Sequence, residues 1–152
     1  MSLVSGVSVE RVIPSAPGPI FDLLADPSRH REIDGSGTVR EATSGSVRLS
    51  RGARFGMDMR AGGSYRMVNE VVEFETDRLI AWQPRPAISL ARKVLGGRIW
   101  RYELEPVEGG TRVRETWDIS QERLPALILP LKGIVRRSME KTLSRIERSV
   151  TS

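Results

Sequence analysis

Arg98-Ile-Trp-Arg-Tyr-Glu-Leu-Glu105, the loop Pro106-Val-Glu-Gly-Gly110 and Thr111-Arg-Val-Arg-Glu-Thr-Trp-Asp118 lead into one long amphipathic pattern that closes the chain at Ser152. Two runs with a period of two around a Gly-Gly loop predict a β-hairpin. In the second run Arg112 and Arg114 belong on the solvent side, which puts Val113, Glu115 and Trp117 on the inner face. The terminal pattern has apolar residues at Leu127, Ile128, Leu131, Ile134, Val135, Met139, Leu143, Ile146 and Val150, a three- and four-residue spacing that makes one stripe along a helix. Pro125 and Pro130 make its beginning irregular, so the unbroken helix is expected from about Leu131. A hairpin feeding such a helix implies a sheet curled around it. Its inward side chains are too spread to fill all the space beneath, so a cavity that binds a small molecule is expected there.

The rest of the chain supplies more strands. Val7 to Ile13 alternates, with Val7, Val9 and Ile13 on one face and Val12 on the other. Pro17 to Ala25 reads as a short helix with Pro19 in its first turn. Asp26-Pro27 caps and starts a second one that ends at Asp34-Gly35. Thr38 to Thr43 suits an edge strand and Ser44-Gly45-Ser46 a turn. Ala53 to Ala61 has Phe55, Met57 and Met59 facing one way, and Gly62-Gly63 turns the chain into Ser64 to Glu75, where Tyr65, Met67, Asn69 and Val71 point inward. A change of phase near Glu73 and Phe74 suggests a bulge. Leu79 to Trp82 is a further strand. Gln83 to Gly97, with Pro84, Pro86, Gly96 and Gly97 at its ends, reads as a lid or a loop with one helical turn.

Composition bounds the function classes. The 152 residues, 39% hydrophobic and 28% charged, suit one domain over 1–152 with its own core. No apolar run reaches the roughly 18 residues of a membrane-spanning helix. Met1-Ser-Leu-Val-Ser-Gly6 has no basic region followed by an apolar core, so a secretory signal is not expected. The chain has no cysteine, which fits a cytoplasmic location. With one histidine besides, a metal site is not expected, and no phosphate-binding loop or nucleophile elbow is present, so no cofactor is expected. The net charge of +5 owes much to Lys132, Arg136, Arg137, Lys141, Arg145 and Arg148, but Glu140 and Glu147 interrupt them and no aromatic residue is interleaved. A solvated helix face is the simplest account, and nucleic acid is not an expected partner. Stable membrane insertion is not expected either, and a homodimer is left open.

Pro19-Ile-Phe-Asp-Leu-Leu-Ala-Asp-Pro27, Val71 to Trp82 and Trp100 to Val113, in the order strand, two short helices, about six strands and a long helix, resemble the START-like, SRPBCC superfamily. His30 to Gly37 and Glu115-Thr-Trp-Asp118 look like its bacterial polyketide cyclase/dehydrase branch. The resemblance covers nearly the whole chain. It implies an α+β helix-grip fold, in which a curved antiparallel sheet of about seven strands wraps around the C-terminal helix, with a cavity between them. The branch label rests widely on fold and implies a specific activity only weakly.

Candidate site residues are those expected on the inner face. Glu115, a carboxyl among apolar neighbours, is the first candidate for moving protons in a cyclisation, dehydration or isomerisation. A structural acid bonded to a tyrosine or asparagine is the competing account. His30 and Asp34, four apart on the second short helix and expected at the cavity mouth, form a candidate proton-transfer pair, although such a histidine can equally be solvated. Phe55, Met57, Met59, Tyr65, Met67, Asn69, Trp100, Tyr102, Trp117 and Met139 are the expected lining for a hydrophobic or aromatic ligand, or alternatively plain core. An enzyme of the cyclase/dehydratase kind and a non-catalytic carrier or sensor both fit, as does a domain that binds a partner through the basic face of the terminal helix.

Overall fold

The computed structural model describes residues 6–36, 39–42, 48–60, 64–86, 97–122 and 124–152. The turns expected at Ser44 to Ser46 and Gly62-Gly63, the segment 87–96, and the side chains of Arg60, Tyr65 and Leu127 lie outside that description.

Seven strands form one antiparallel sheet: β1 (Gly6–Ile13), β2 (Val39–Ala42), β3 (Arg54–Arg60), β4 (Ser64–Glu75), β5 (Leu79–Pro86), β6 (Ile99–Val107) and β7 (Gly110–Asp118). Their order is β1-β7-β6-β5-β4-β3-β2, so the hairpins follow one another and the first strand closes onto the last. Between β1 and β2 lie α1 (Pro17–Leu24), a 3₁₀ turn (Pro27–Arg29) and α2 (His30–Ile33). Asp26 starts that turn as expected: its carboxylate accepts from the Ser28 amide at 3.1 Å and the Ser28 hydroxyl at 2.6 Å. After β7 come α3 (Pro125–Ile128), a second 3₁₀ turn (Leu129–Leu131) and α4 (Lys132–Thr151), which packs on β1, β7, α1 and α2.

Period two decides the faces. Val7, Val9 and Ile13 are buried and Val12 is exposed; Thr111, Val113, Glu115 and Trp117 are buried while Arg114 is in solvent. The bulge falls between Val71 and Glu73, where the register of β4 against β5 shifts.

Three expectations need correcting. β5 does not stop at Trp82 but runs to Pro86. Its pairing with β6 ends at Trp82 opposite Trp100, while Pro84 and Pro86 pair with β4 at Asn69 and Met67. A proline is tolerated there because no second ladder needs its missing N–H. Second, the alternation of Arg98 to Glu105 places Arg101 on the solvent face, but Arg101 does not simply face water. On the outer face it donates to both carboxylate oxygens of Glu73, at 2.7 and 3.1 Å, and to Asp118 at 3.2 Å. Third, the apolar stripe of the terminal helix is not continuous: Met139, Leu143 and Ile146 are buried, whereas Leu131 and Ile134 are 44% and 64% exposed. At 100° per residue Ile134 sits about 120° around the helix from Ile146, off the face that meets the sheet.

Candidate functional site

Glu115 stands at the centre of the β1-β7-β6 part of the sheet, opposite Val9 on one side and Tyr102 on the other. Its side chain points inward because Arg112 and Arg114 take the solvent, and it is 2% exposed. The Tyr102 hydroxyl donates to Glu115 Oε2 at 2.8 Å. Oε1 has no hydrogen-bond partner, and neither has the indole N–H of Trp117, two residues along on the same face. Among the described residues these are the buried side-chain polar atoms left unpaired, each at a cost of about 1–3 kcal/mol in a closed protein interior. Burial drives the carboxyl pKa up to about 8, the Tyr102 hydrogen bond pulls it down, and the nearby charge of Asp34 pushes it up. The same burial, with Glu115 beside it, holds the Tyr102 phenol well above its usual range.

His30 is not at an open mouth, as the sequence led us to expect, but buried. Its Nε2 lies 2.8 Å from the Leu24 carbonyl, which only accepts, so Nε2 carries the proton. The ring stacks on Trp82 at 4.9 Å between centroids and meets Phe55 edge-on at 5.5 Å. Burial lowers its pKa, against the opposing pull of the Leu24 hydrogen bond and the charges of Asp26 and Asp34. The hydrogen bond and the ring contacts fix the orientation of this imidazole. Its position in α2 carries Phe55, Trp82 and Tyr102 into one aromatic run, with Trp82 and Tyr102 5.5 Å apart.

Asp34 ends α2. Its carboxylate accepts from the Ser36 amide at 3.1 Å and from the Ser36 hydroxyl, while its carbonyl accepts from Arg145 of α4. Next to it, the Gly35 amide donates to Thr142 Oγ1 at 2.9 Å. A Cβ on Gly35 would lie 2.1 Å from the Ser138 carbonyl, so glycine alone permits this close approach of the loop to α4. The contact brings Asp34 near enough to Glu115 to disfavour its charged form.

Of the other expected lining residues, Phe55, Met57, Asn69, Tyr102, Trp117 and Met139 are buried, and Met59, Met67 and Trp100 are half-buried. Asn69 donates to the Phe55 carbonyl at 3.4 Å, and the Trp100 and Trp117 rings lie 6.3 Å apart. Sequence reasoning passed over Trp82, although it faces Trp100 across the β5-β6 pair and so shares its side of the sheet. A groove of about 340 Å³, lined by Arg78, Glu103, Glu105, Arg112, Arg114 and neighbours, lies on the outer face and is ionic, unlike the apolar cavity expected beneath α4.

Residues 6–151 match the family model described as polyketide cyclase/dehydrase and lipid transport. The chain belongs to that family. It is 38% identical over 113 residues to the uncharacterized protein Rv0088 of Mycobacterium tuberculosis, covering 73% of this chain and 45% of that one, so the chain spans about half the length of the curated relatives it matches. Solved structures share the fold. Protein Ms6760 of Mycobacterium smegmatis has a TM-score of 0.70 at 16% identity, over 99% of this chain and 97% of that one. The Aha1 dimer of Colwellia psychrerythraea has 0.65 at 16%, over 95% and 94%. Family membership supports a ligand-binding helix-grip protein and leaves open whether it carries or converts its ligand.

Proposed function

We propose that this family member binds a hydrophobic or aromatic small molecule between the sheet and α4 and acts on it as a cyclase- or dehydratase-like enzyme, with Glu115 as the proton-moving group. The observation behind this reading is the unpartnered Oε1 of a fully buried carboxyl whose other oxygen Tyr102 already holds. A purely structural acid gains most by engaging both oxygens, so a free one suits a ligand hydroxyl or carbonyl. The Trp117 N–H offers a donor for a second ligand oxygen. With its pKa near 8, Glu115 is about nine-tenths protonated at pH 7 and gives up a proton more readily than it takes one. That favours a general acid, which protonates a departing hydroxyl or a carbonyl oxygen, over the general base suggested by residue type alone. The apolar run from Phe55 through Trp82 to Tyr102 would hold a flat or acyl body against the sheet. His30 has its Nε2 proton committed to Leu24, so Glu115 is the group this reading assigns to proton transfer. The lack of cysteine agrees with a cytoplasmic setting.

The carrier reading draws on that same locked His30, which leaves Glu115 without an evident second proton-transfer partner. Native mass spectrometry of freshly purified protein identifies a retained ligand. Turnover of that compound by the wild type, reduced about 100-fold or more in Glu115→Gln with binding kept, supports the enzyme; binding without conversion leaves the carrier.

A further inference from the structure

We propose that the corner formed by α3, the following 3₁₀ turn and the first turns of α4 docks this protein on an anionic membrane surface. Four large apolar side chains are in solvent there: Leu124 at 48%, Leu129 at 44%, Leu131 at 44% and Ile134 at 64%. The surface around Gly133 is open, since a Cβ added there would meet nothing within 4 Å, while Ile128 anchors the corner to the core. From Leu124 to Met139 the chain has Lys132, Arg136 and Arg137 and not one Asp or Glu. All three cations are exposed, and among the described residues none has a side-chain partner. At 100° per residue Leu131 and Ile134 lie about 60° apart, with Arg137 about 60° beyond Ile134 and Lys132 about 100° beyond Leu131, while Arg136 lies nearly opposite the apolar pair. Apolar side chains between cations match the boundary between acyl chains and anionic headgroups, where long basic side chains reach back to the phosphates.

Other occupants fit less well. A second copy in a two-fold dimer would set this patch against itself and bring the unpaired cations together. Nucleic acid asks for aromatic stacking, and 124–152 contains no aromatic residue. Among the described residues no helix is long and apolar enough to cross a membrane, so docking is peripheral. The inference is independent of Glu115 and of any reaction.

The test is co-sedimentation of the full chain with vesicles of phosphatidylcholine, either pure or containing about 30% phosphatidylglycerol, at about 0.05 M and 0.5 M salt. Binding is expected only to the anionic vesicles and weaker at high salt. The triple variant Lys132→Glu, Arg136→Glu, Arg137→Glu should lower the affinity roughly 100-fold, and Leu131→Ser with Ile134→Ser roughly tenfold. Thermal melting checks that each variant is folded; should one fail, Arg137→Gln or Ile134→Ser alone replaces it, with a smaller drop expected. No binding, equal binding to neutral vesicles, or binding indifferent to the leucine and isoleucine changes overturns the proposal. So does a dimer, dispersed by Leu131→Ser with Ile134→Ser, in a protein that ignores vesicles, or a preference for single-stranded oligonucleotide over the anionic vesicles.

Discussion

At pH 7 a carboxyl group held near 8 keeps its proton, so the neutral pair of Tyr102 and Glu115 is what the folded protein buries. In the unfolded chain the same group titrates near 4.5. Between those values the folded state binds one proton more, and its stability falls as pH rises, by about 1.4 kcal/mol per unit from this group alone. Glu115→Gln, which resembles the neutral acid, should therefore flatten the slope of stability between pH 4.5 and 8, match the wild type within about 1 kcal/mol near pH 4, and exceed it by about 3 kcal/mol at pH 7. Denaturant titrations across that window give the answer, and an unchanged slope would mean that Glu115 is ionised in the fold. Tyr102→Phe removes the one contact that lowers the Glu115 pKa, so titration of the carboxyl should move further up. A carbon-detected NMR titration that moves down instead would assign Tyr102 the opposite role. The inward placement of Glu115 was legible in Arg112 and Arg114, whereas the neighbouring charge of Asp34 was not, because no local pattern states which helix end meets which strand.

At the scale of elements, α4 is two different surfaces on one helix. Ile146, fully buried, and Ile134, in solvent, look alike in a hydrophobic stripe. Ile146→Ala should cost about 2–5 kcal/mol and Ile134→Ala less than about 0.5 kcal/mol, a contrast that thermal melts resolve directly. The joint between the α2 end and α4 is equally specific. Gly35→Ala drives a methyl group into the Ser138 carbonyl and pulls at the Gly35 to Thr142 bond, so a loss of about 1–3 kcal/mol is expected. The same change should shift Glu115 titration as Asp34 moves, and a destabilised variant whose Glu115 titrates as before would separate packing from electrostatics. Periodicity revealed the helix and its irregular start at Pro125 and Pro130. It did not reveal where the sheet ends beneath it, since that depends on strand lengths and tilt.

For the molecule as a whole, a ligand that binds only the folded state adds stability in proportion to the logarithm of its concentration over Kd, about 2.7 kcal/mol at a hundredfold excess. If the protein retains an apolar ligand on purification, stripping it with organic solvent and refolding should lower the melting temperature by several degrees, and adding the extracted material should restore it. Trp82, Trp100 and Trp117 all lie on the inner face of the sheet, so their fluorescence should change in the same titration if the ligand binds there. A melt and an emission spectrum both indifferent to stripping would tell against a resident ligand. The pairing of β1 with β7 sets the first strand beside the last, so that part of the sheet depends on segments about 100 residues apart rather than on any hairpin.

Alternation, turn residues and helical spacing are local, and they sufficed for seven strands, the short helices after β1, the bulge near Glu73 and the inner faces that contain Glu115, Tyr102 and Trp117. Those features follow from the period of two along a strand and the need of apolar side chains to leave water. Only the tertiary structure decided that His30 is buried and bonded to Leu24, that β5 continues through Pro86, that Leu131 and Ile134 stand in solvent, and that the charge of Asp34 reaches Glu115. Each of these depends on two segments distant in sequence meeting at one point. Burial, pKa and exposure are set by such meetings, because the dielectric and the partners around a side chain come from whatever the fold packs against it.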